Sequence, residues 1–405
     1  MRHHFLIVVP LVSMILLVPA CAPRSAGLEA RKEAATRFQR TTSLVSFDQA
    51  KQAFEAGELD KARKEVENAI ARSNREARYW SLLGRIEQES KRLDKALVAF
   101  EKAIECDPTL AEAYYYRGIV YQRWNESDKA IADYLKASEL DPERISNLLA
   151  AAELMITARK LEDARTLLLS KLAYFEHNSA MHELLGDIAL MSGDAKAAAI
   201  SYERATMIDP EAPLLSEKLI AALFDAGEYQ KCLESARRQR EHAASAQTSG
   251  KRFIPARDTL RQEGRSLSML GRVSEARIVF SDTVREYPED VDAWRDLAGA
   301  ALDLGDLSRA QSAAERLVAL STDDASGYTL RGLIAEAKSE FPEAVRWHRL
   351  ACDRAPKSPD TLVALALALR QMGKNEECAK VLREALAIDP KSELAQRALA
   401  IVNEK

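Results

Sequence analysis

Aromatic residues make up only 6% of this 405-residue sequence, which also contains just 15 glycines and 13 prolines. The shortage of aromatic residues argues against a β-sandwich, and the shortage of glycine and proline argues against a disordered chain. Hydrophobic residues reach 47% and charged residues 30%, which is typical of a soluble helical protein. The net charge of −4 gives no reason to expect nucleic acid as a partner.

Motifs for catalysis and metal binding are also missing. The five cysteines, at positions 21, 106, 232, 352 and 378, form no CxxC pair, so neither a zinc site nor a disulfide framework is indicated. No HExxH motif surrounds any histidine, and neither GxSxG nor a phosphate-binding GxxxxGKS or GxxxxGKT loop occurs. We therefore expect a protein that is not an enzyme and that holds no metal or other cofactor.

The first residues form an apolar segment that ends at a cysteine. The run from Phe5 to Pro19 is too short for a stable membrane span and fits the core of a signal peptide, residues 1–20. Its end, Val18-Pro19-Ala20-Cys21, resembles the lipobox of bacterial lipoproteins. That resemblance implies lipidation of Cys21 and a location in the cell envelope facing the periplasm. Ala22, where an aspartate would stand in inner-membrane lipoproteins, favours the outer membrane. The alternative is an ordinary secretory signal.

A polar stretch follows the lipobox. Together with Cys21 it makes up residues 21–42, which we expect to be an extended tether containing Pro23 and Gly27. Fully extended, about 21 residues reach roughly 70 Å. Such a tether would hold the rest of the chain near one membrane surface.

From residue 43 onward the sequence repeats every 34 residues. The copy at 77–110 contains Trp80, Leu83-Gly84, Ala96, Phe100 and Pro108, and the copies at 111–144 and 179–212 carry equivalent residues at the same offsets. These residues resemble the signature of the tetratricopeptide repeat (TPR) family. The resemblance implies an all-α fold, a right-handed TPR superhelical solenoid of about ten helix-turn-helix repeats.

The repeat frame defines the domain organisation that we expect. Residues 43–246 form a block of about six repeats, 247–256 form an inter-repeat loop, and 257–392 form a block of four repeats. The loop is either a bulge in one continuous superhelix or a joint between two blocks. Residues 393–405 form a capping helix, with Leu394, Leu399 and Val402 on its inner face.

Three offsets within the repeat carry small or bulky residues for a physical reason. Small residues at the eighth and twentieth offsets let two helices approach closely, and a bulky residue at the twenty-fourth fills the gap between neighbouring repeats. Glycines at the turn between helices are expected to adopt a positive φ. The turn glycines are Gly57, Gly193, Gly227, Gly271, Gly305 and Gly373.

In the TPR family, the first helix of each repeat lines a concave groove that binds proteins or peptides. The resemblance therefore implies partner-binding residues on these helices, and the candidates are Arg85, Tyr115, Gln122, Arg123, Arg261, Arg265 and Arg295. No asparagine stands at the ninth offset, so the two-carboxylate clamp of chaperone-tail binders is not supported. The stretch 237–277 holds ten basic residues against four acidic ones and could steer an acidic partner or touch anionic lipid or polysaccharide; the alternative is a solvated face.

The combination of a lipobox with these repeats resembles lipoproteins that help to assemble pili or secretion systems. The expected function is therefore a non-enzymatic scaffold for protein binding, anchored to the envelope membrane by lipid and binding other envelope proteins or peptides. Two alternatives remain: an accessory lipoprotein of exopolysaccharide export, and an adaptor that recruits a peptidoglycan hydrolase.

Overall fold

The fold is entirely α-helical wherever it is described. The computed structural model describes residues 24–245 and 256–403, and these ranges contain 21 helices and no β-strand. The predicted all-α class and TPR-type solenoid are confirmed. The helices divide between Lys160 and Leu161 into an N-terminal and a C-terminal unit, each of them compact.

The N-terminal unit contains seven of these helices, which alternate between the first and second helix of a repeat. They are α1 (Arg24–Glu55), α2 (Leu59–Arg72), α3 (Ala77–Glu89), α4 (Leu93–Cys106), α5 (Ala111–Arg123), α6 (Ser127–Leu140) and α7 (Ile145–Thr157). Asp107 and Asp141 stand directly after α4 and α6, where the Asp-Pro pairs of the sequence end the second helix of a repeat.

The C-terminal unit continues the same alternation with fourteen described helices. They are α8 (Leu161–Lys171), α9 (Ser179–Met191), α10 (Ala195–Ile208), α11 (Pro213–Asp225), α12 (Tyr229–Ser245), α13 (Arg257–Met269), α14 (Val273–Glu286), α15 (Val291–Asp303), α16 (Leu307–Leu320), α17 (Ala325–Ala337), α18 (Phe341–Arg354), α19 (Pro359–Gln371), α20 (Asn375–Ile388) and α21 (Glu393–Asn403). From α9 onward, each helix packs mainly on its neighbours along the chain.

In five repeats, a glycine of the first helix packs tightly against an aromatic ring of the second helix, and we call this contact the interlock. A Cβ atom added to the glycine at the eighth offset would lie between 2.3 and 2.8 Å from a ring atom at the twenty-fourth offset of the same repeat. The bulky ring therefore packs on its own hairpin, and not only between neighbouring repeats as the sequence suggests. The pairs are Gly84–Phe100, Gly118–Tyr134, Gly186–Tyr202, Gly264–Phe280 and Gly332–His348.

The turn between the two helices of a repeat requires a left-handed residue. The six turn glycines have φ between 71° and 80°, as predicted. Four repeats without glycine place another residue in the same conformation, with φ between 60° and 63°. These residues are Lys91, Asn125, Arg159 and Ser339, so the backbone geometry is kept even where the residue type does not favour it.

The expected tether has a different conformation from the one that the sequence suggests. Residues 24–42 are the first part of α1, which continues without a break into the first repeat. The stretch is rich in alanine, glutamate, lysine and arginine, and these residues favour a helix over an extended chain. At 1.5 Å per residue, its nineteen residues span roughly 28 Å, well below the reach of an extended tether.

The last described helix, α21, packs on α19 and α20. Its inner face consists of Ala395 and Ala398, which are buried, with Leu399 and Val402 packed beside them. The prediction for Leu394 is wrong, because this side chain is 57% exposed. Its position directly after the first residue of α21 turns it away from the helices of the preceding repeat.

The stack of helices continues on both sides of the predicted loop. Helix α13 packs against α12 and α11, as first helices do elsewhere in this unit. Glu263 of α13 is buried, and its carboxylate lies 3.4 Å from Arg237 Nε and 2.5 Å from Arg240 Nη1, both on α12. The loop assignment for 247–256 remains a prediction, since residues 246–255 lie outside the described ranges.

None of the helices within residues 24–245 and 256–403 is both long and apolar enough to cross a membrane.

Candidate functional site

The first helices form one face within each unit. First helices of neighbouring repeats contact one another, as α3 and α5 do in the N-terminal unit and α15 and α17 do in the C-terminal unit. No two second helices make comparable contact in the part of the chain that is described. We call this side of each unit the first-helix face. The seven candidate residues all lie on first helices: Arg85 on α3, Tyr115, Gln122 and Arg123 on α5, Arg261 and Arg265 on α13, and Arg295 on α15.

In the N-terminal unit, Arg85 is held between two aromatic rings. The guanidinium carbon lies 5.0 Å from the centroid of Phe54 and 4.9 Å from that of Tyr116. Its Nη1 atom also donates a hydrogen bond of 3.2 Å to Glu112 Oε1. Cation–π contacts together with a charged hydrogen bond hold the side chain in one orientation. Arg85 therefore organises this surface whether or not it also contacts a partner.

Tyr115 extends the same surface along α5. Its ring stands edge-on to Tyr116, with centroids 5.4 Å apart, and 5.5 Å from the ring of Tyr134. Burial raises the pKa of Tyr116, while nearby Arg85 acts in the opposite direction, so the phenol stays neutral at physiological pH. Phe54, Arg85, Glu112, Tyr115 and Tyr116 are all partly exposed, and we call them the aromatic surface.

The two remaining candidates on α5 differ from each other. Gln122 Oε1 accepts a hydrogen bond of 2.7 Å from the hydroxyl of buried Tyr134, so this amide serves the core. Burial raises the pKa of Tyr134 well above its ordinary value. Arg123 is exposed and makes no hydrogen bond or ion pair within the described residues. Of the two, Arg123 has the free donors that a partner could use.

In the C-terminal unit, each predicted arginine pairs with an aspartate that lies on the next first helix or at its N-cap. Arg261 Nη2 lies 2.8 Å from Asp292 Oδ2, and Arg265 forms a two-point contact of 2.7 and 3.1 Å with Asp296. Arg295 Nη2 lies 2.6 Å from Asp324 Oδ2, and Arg295 also pairs with Asp292. We call this set the charge ladder: Arg261, Arg265, Asp292, Arg295, Asp296 and Asp324.

The charge ladder is internally neutral, with three arginines and three aspartates. Burial raises the pKa of Asp292, but the guanidinium groups of Arg261 and Arg295 outweigh it and hold the pKa below its ordinary value. For Asp296, burial dominates and raises the pKa despite Arg265 and Arg261. These arginines hold successive first helices together. Their role in partner binding stays a prediction.

Most of the basic side chains that are described within the stretch 237–277 are also paired. Besides the ladder arginines, Arg237 and Arg240 contact Glu263, Arg272 contacts Glu275, Arg277 contacts Asp306, and Arg257 contacts Asp258 and Asp290. The acids at 290, 292, 296 and 306 lie beyond the stretch, so counting charges within it overestimates its free charge. Arg238 is exposed and has no ion pair within the described residues.

A cavity of about 640 Å³ lies in the C-terminal unit, lined by residues of α10, α11, α12 and the start of α13. Met207, Leu219 and Leu223 give it apolar walls, and Lys231 and Arg238 lie at its charged rim. This cavity is not among the features predicted from the sequence. The sequence feature that accompanies the cavity is Gln239, which stands where other repeats have alanine. Its Nε2 donates a hydrogen bond of 3.3 Å to Pro213 O, and its Oε1 accepts one of 2.8 Å from Thr259 Oγ1.

Metal-ligating side chains and thiols are the remaining groups with reactive chemistry in the part of the chain that is described. There, no group of three or more histidine, cysteine, aspartate or glutamate side chains is arranged to hold a metal ion. Cys232 and Cys378 are fully buried at alanine offsets of their repeats, and burial raises the pKa of both thiols. Such thiols pack as small apolar groups and are poor nucleophiles. Cys21 lies outside the described residues.

Comparison with known proteins agrees with the repeat frame. A family model described as tetratricopeptide repeat matches residues 47–111, 149–213, 261–325 and 297–359. Two further models of the same description match residues 99–132 and 359–402.

One curated relative and three solved structures illustrate the range of similar proteins. The BBSome complex member BBS4 of Bos taurus is 25% identical over 133 residues, which are 33% of this chain and 25% of that protein. The chain thus spans a quarter of the length of this relative. Each of the three structures is 15% identical in sequence to this chain. A tetratricopeptide repeat protein from Parabacteroides merdae has a TM-score of 0.43, and the match covers 61% of this chain and 93% of that chain. Naa15/Naa10 bound to HypK-THB has a TM-score of 0.44 with coverages of 89% and 66%, and yeast Tom70 has a TM-score of 0.43 with coverages of 89% and 88%.

Proposed function

This chain belongs to the tetratricopeptide repeat family, and we propose that it is a lipid-anchored scaffold of the bacterial cell envelope that binds other envelope proteins on its first-helix face. The repeat fold is a platform for protein binding and is typically non-catalytic. The proposed task is to assist the assembly of a multiprotein machine such as a pilus or a secretion system.

The aromatic surface is the observation that carries the binding part of the proposal. Tyrosine and arginine are enriched among the residues that dominate the energetics of protein interfaces, and a tyrosine ring brings a large contact area with little conformational entropy to lose. Here the contacts of Arg85 with Phe54, Tyr116 and Glu112 already fix its side chain in the free protein. A preorganised surface loses less entropy on binding than a flexible one.

Replacing Tyr115 tests this surface. In cells whose membrane fraction is crosslinked and analysed by mass spectrometry, we expect Tyr115→Ala to lower the recovery of crosslinked partners by about tenfold, the loss typical of a hot-spot tyrosine. Tyr174→Ala is the matched control, because Tyr174 is 66% exposed and lies outside the first helices. Circular dichroism would verify that both variants keep the wild-type helical content.

Equal recovery of partners from the two tyrosine variants would reject the aromatic surface as the binding site. The identity of the crosslinked proteins also distinguishes between machines. Pilus or secretion components would support the assembly role, whereas glycosyltransferases or cell-wall hydrolases would replace it with one of the alternatives.

The lipid anchor is supported by the apolar run from Phe5 to Pro19 and by the lipobox that ends at Cys21. Two or more acyl chains bind a membrane stably, whereas a single chain binds only marginally. We expect Cys21→Ser to move most of the protein from the membrane fraction to the soluble fraction, or to leave the precursor uncleaved. Cys106→Ser serves as the control. Unaltered processing and fractionation of the Cys21 variant would reject the anchor.

A further inference from the structure

The first half of α1 is a helix without a partner in the described chain. Residues 28–41 are all exposed, and the buried side chains of α1 begin only at Ser43. A helix of this length is marginally stable in water unless one of its sides packs against something. The segment therefore offers a surface that is available for binding.

One side of this segment is apolar and basic. Leu28, Arg31, Ala35 and Phe38 follow one another at helical spacing and lie on one face. Leu28 is 58% exposed, and Phe38, at 71%, is the most exposed large hydrophobic side chain among the described residues. We call these four residues the α1 face.

The acidic residues of the segment lie away from the α1 face. At 100° per residue, Glu29 and Glu33 fall on the opposite side of the helix, where Glu33 pairs with Arg37 at 3.6 Å. The Thr42 hydroxyl, which borders the α1 face, donates a hydrogen bond of 2.8 Å to Phe38 O. Its proton is therefore already satisfied within the helix. Over residues 24–42 the sequence holds five basic and two acidic side chains.

We propose that the α1 face lies on the surface of an anionic lipid bilayer, with Leu28 and Phe38 in the headgroup region and Arg31 beside the lipid phosphates. The inference rests on the proposed function, because a lipidated Cys21 would hold α1 within a few residues of the membrane. Apolar side chains flanked by arginine and lysine are the pattern of helices that lie in the plane of a membrane interface. The long stem of Arg31 keeps its charge among the headgroups while the apolar side chains enter.

A second copy of the chain fits this face less well than a bilayer does. In a parallel pair of α1 helices, the Arg31 side chains would meet in the middle of the apolar stripe. Like charges opposite one another destabilise such a seam, whereas an anionic surface attracts both.

Vesicle binding by the unacylated chain tests the proposal independently of the anchor. The protein from residue 21 onward, carrying Cys21→Ser, is mixed with vesicles of phosphatidylglycerol and phosphatidylcholine, or of phosphatidylcholine alone, and separated by flotation. We expect binding to the anionic vesicles that weakens as salt is raised. The double variant Leu28→Ala/Phe38→Ala should lower the partition coefficient by roughly tenfold, and Arg31→Glu/Lys32→Glu should lower it by a similar factor.

Two controls on α4 match these changes. Val98→Ala removes a side chain that is 56% exposed, and Lys95→Glu reverses an exposed charge, so both should leave vesicle binding unchanged. Absence of binding to anionic vesicles, or equal binding to both kinds of vesicle, would overturn the proposal. Lipid-independent dimers that Phe38→Ala dissociates, without vesicle binding, would assign the face to a second copy and also overturn it.

The two hypotheses fail separately. If Cys21→Ser leaves both processing and fractionation unaltered in cells while vesicle binding persists in vitro, the anchor is rejected and the bilayer assignment of the α1 face stands. If Cys21 proves to be acylated but the unacylated chain ignores anionic vesicles, the inference about α1 is wrong and the anchor remains.

Discussion

Gly264→Ala should lower the free energy of unfolding by about 2–3 kcal/mol, measured by urea denaturation, although alanine favours a helix more than glycine does. The added Cβ would lie 2.3 Å from Cε1 of Phe280, whose ring is almost completely buried. Relief requires a shift of either the ring or α13. Because the interlock recurs in five repeats, the same loss is expected at Gly84, Gly118, Gly186 and Gly332.

Gly299 provides the matched control for this substitution. It also lies inside a first helix, α15, but a Cβ added there would meet nothing within 4 Å. Gly299→Ala should therefore raise the free energy of unfolding by about 0.5–1 kcal/mol, the helix preference of alanine over glycine. In Gly264→Ala/Phe280→Leu the smaller side chain should remove part of the clash. Equal effects of the two single alanine variants would contradict the interlock.

Glu263→Ala is expected to cost about 2–3 kcal/mol of unfolding free energy. The carboxylate of Glu263, on α13, is buried and contacts both Arg237 and Arg240 of α12. These contacts connect the two helices on either side of the predicted loop 247–256. Removing one partner of a fully buried ion pair costs about 3–5 kcal/mol, and the partial exposure of both arginines reduces this cost.

A solvent-exposed ion pair serves as the comparison for Glu263. Glu139 contacts Lys136 at 3.0 Å on the surface of α6, and its side chain is 69% exposed. Glu139→Ala should change the free energy of unfolding by less than about 0.5 kcal/mol. If Glu263→Ala had as small an effect, α12 and α13 would not depend on this buried carboxylate.

The repeat fold can be predicted from the sequence because residues with the same structural role recur at the same offsets in successive repeats. The turn glycines adopt the expected positive φ, and the Asp-Pro pairs end the second helices where the spacing places them. Lys91 and Ser339 occupy the same offset in repeats without a turn glycine, and their left-handed backbone is not predicted by their residue types. Tandem repetition thus supplies information that a single segment does not.

Features at the ends of the array are less predictable. Residues 24–42 contain Gly27 and polar side chains, which suggest an extended tether, yet α1 runs through them. Leu394 likewise lies outside the 34-residue repeat frame, and its side chain is 57% exposed although the helical pattern predicts an inner position. Both segments lie outside the 34-residue frame that fixes the role of equivalent residues within the repeats.

The candidate site is predicted in position but not in its contacts. Offsets place Arg261, Arg265 and Arg295 on first helices, and the structure agrees. Their aspartate partners lie 29 to 31 residues away, on the next first helix or at its N-cap, and an offset rule applied repeat by repeat does not reveal them. The aromatic surface could have been predicted from the sequence, because residues 111–124, which are α5 and the residue after it, contain four tyrosines and a tryptophan in a chain with 6% aromatic residues.

Removal of one whole repeat tests the central claim most directly, namely that residues 34 apart occupy equivalent places in mutually supporting hairpins. The variant lacking residues 325–358 should keep its helical signal per residue and unfold cooperatively, but at a lower urea concentration than the intact chain. A companion variant lacking only 341–358, and thus α18, should lose far more stability because α17 is left unpaired. Unchanged stability after the first deletion, or equal behaviour of the two variants, would contradict the account.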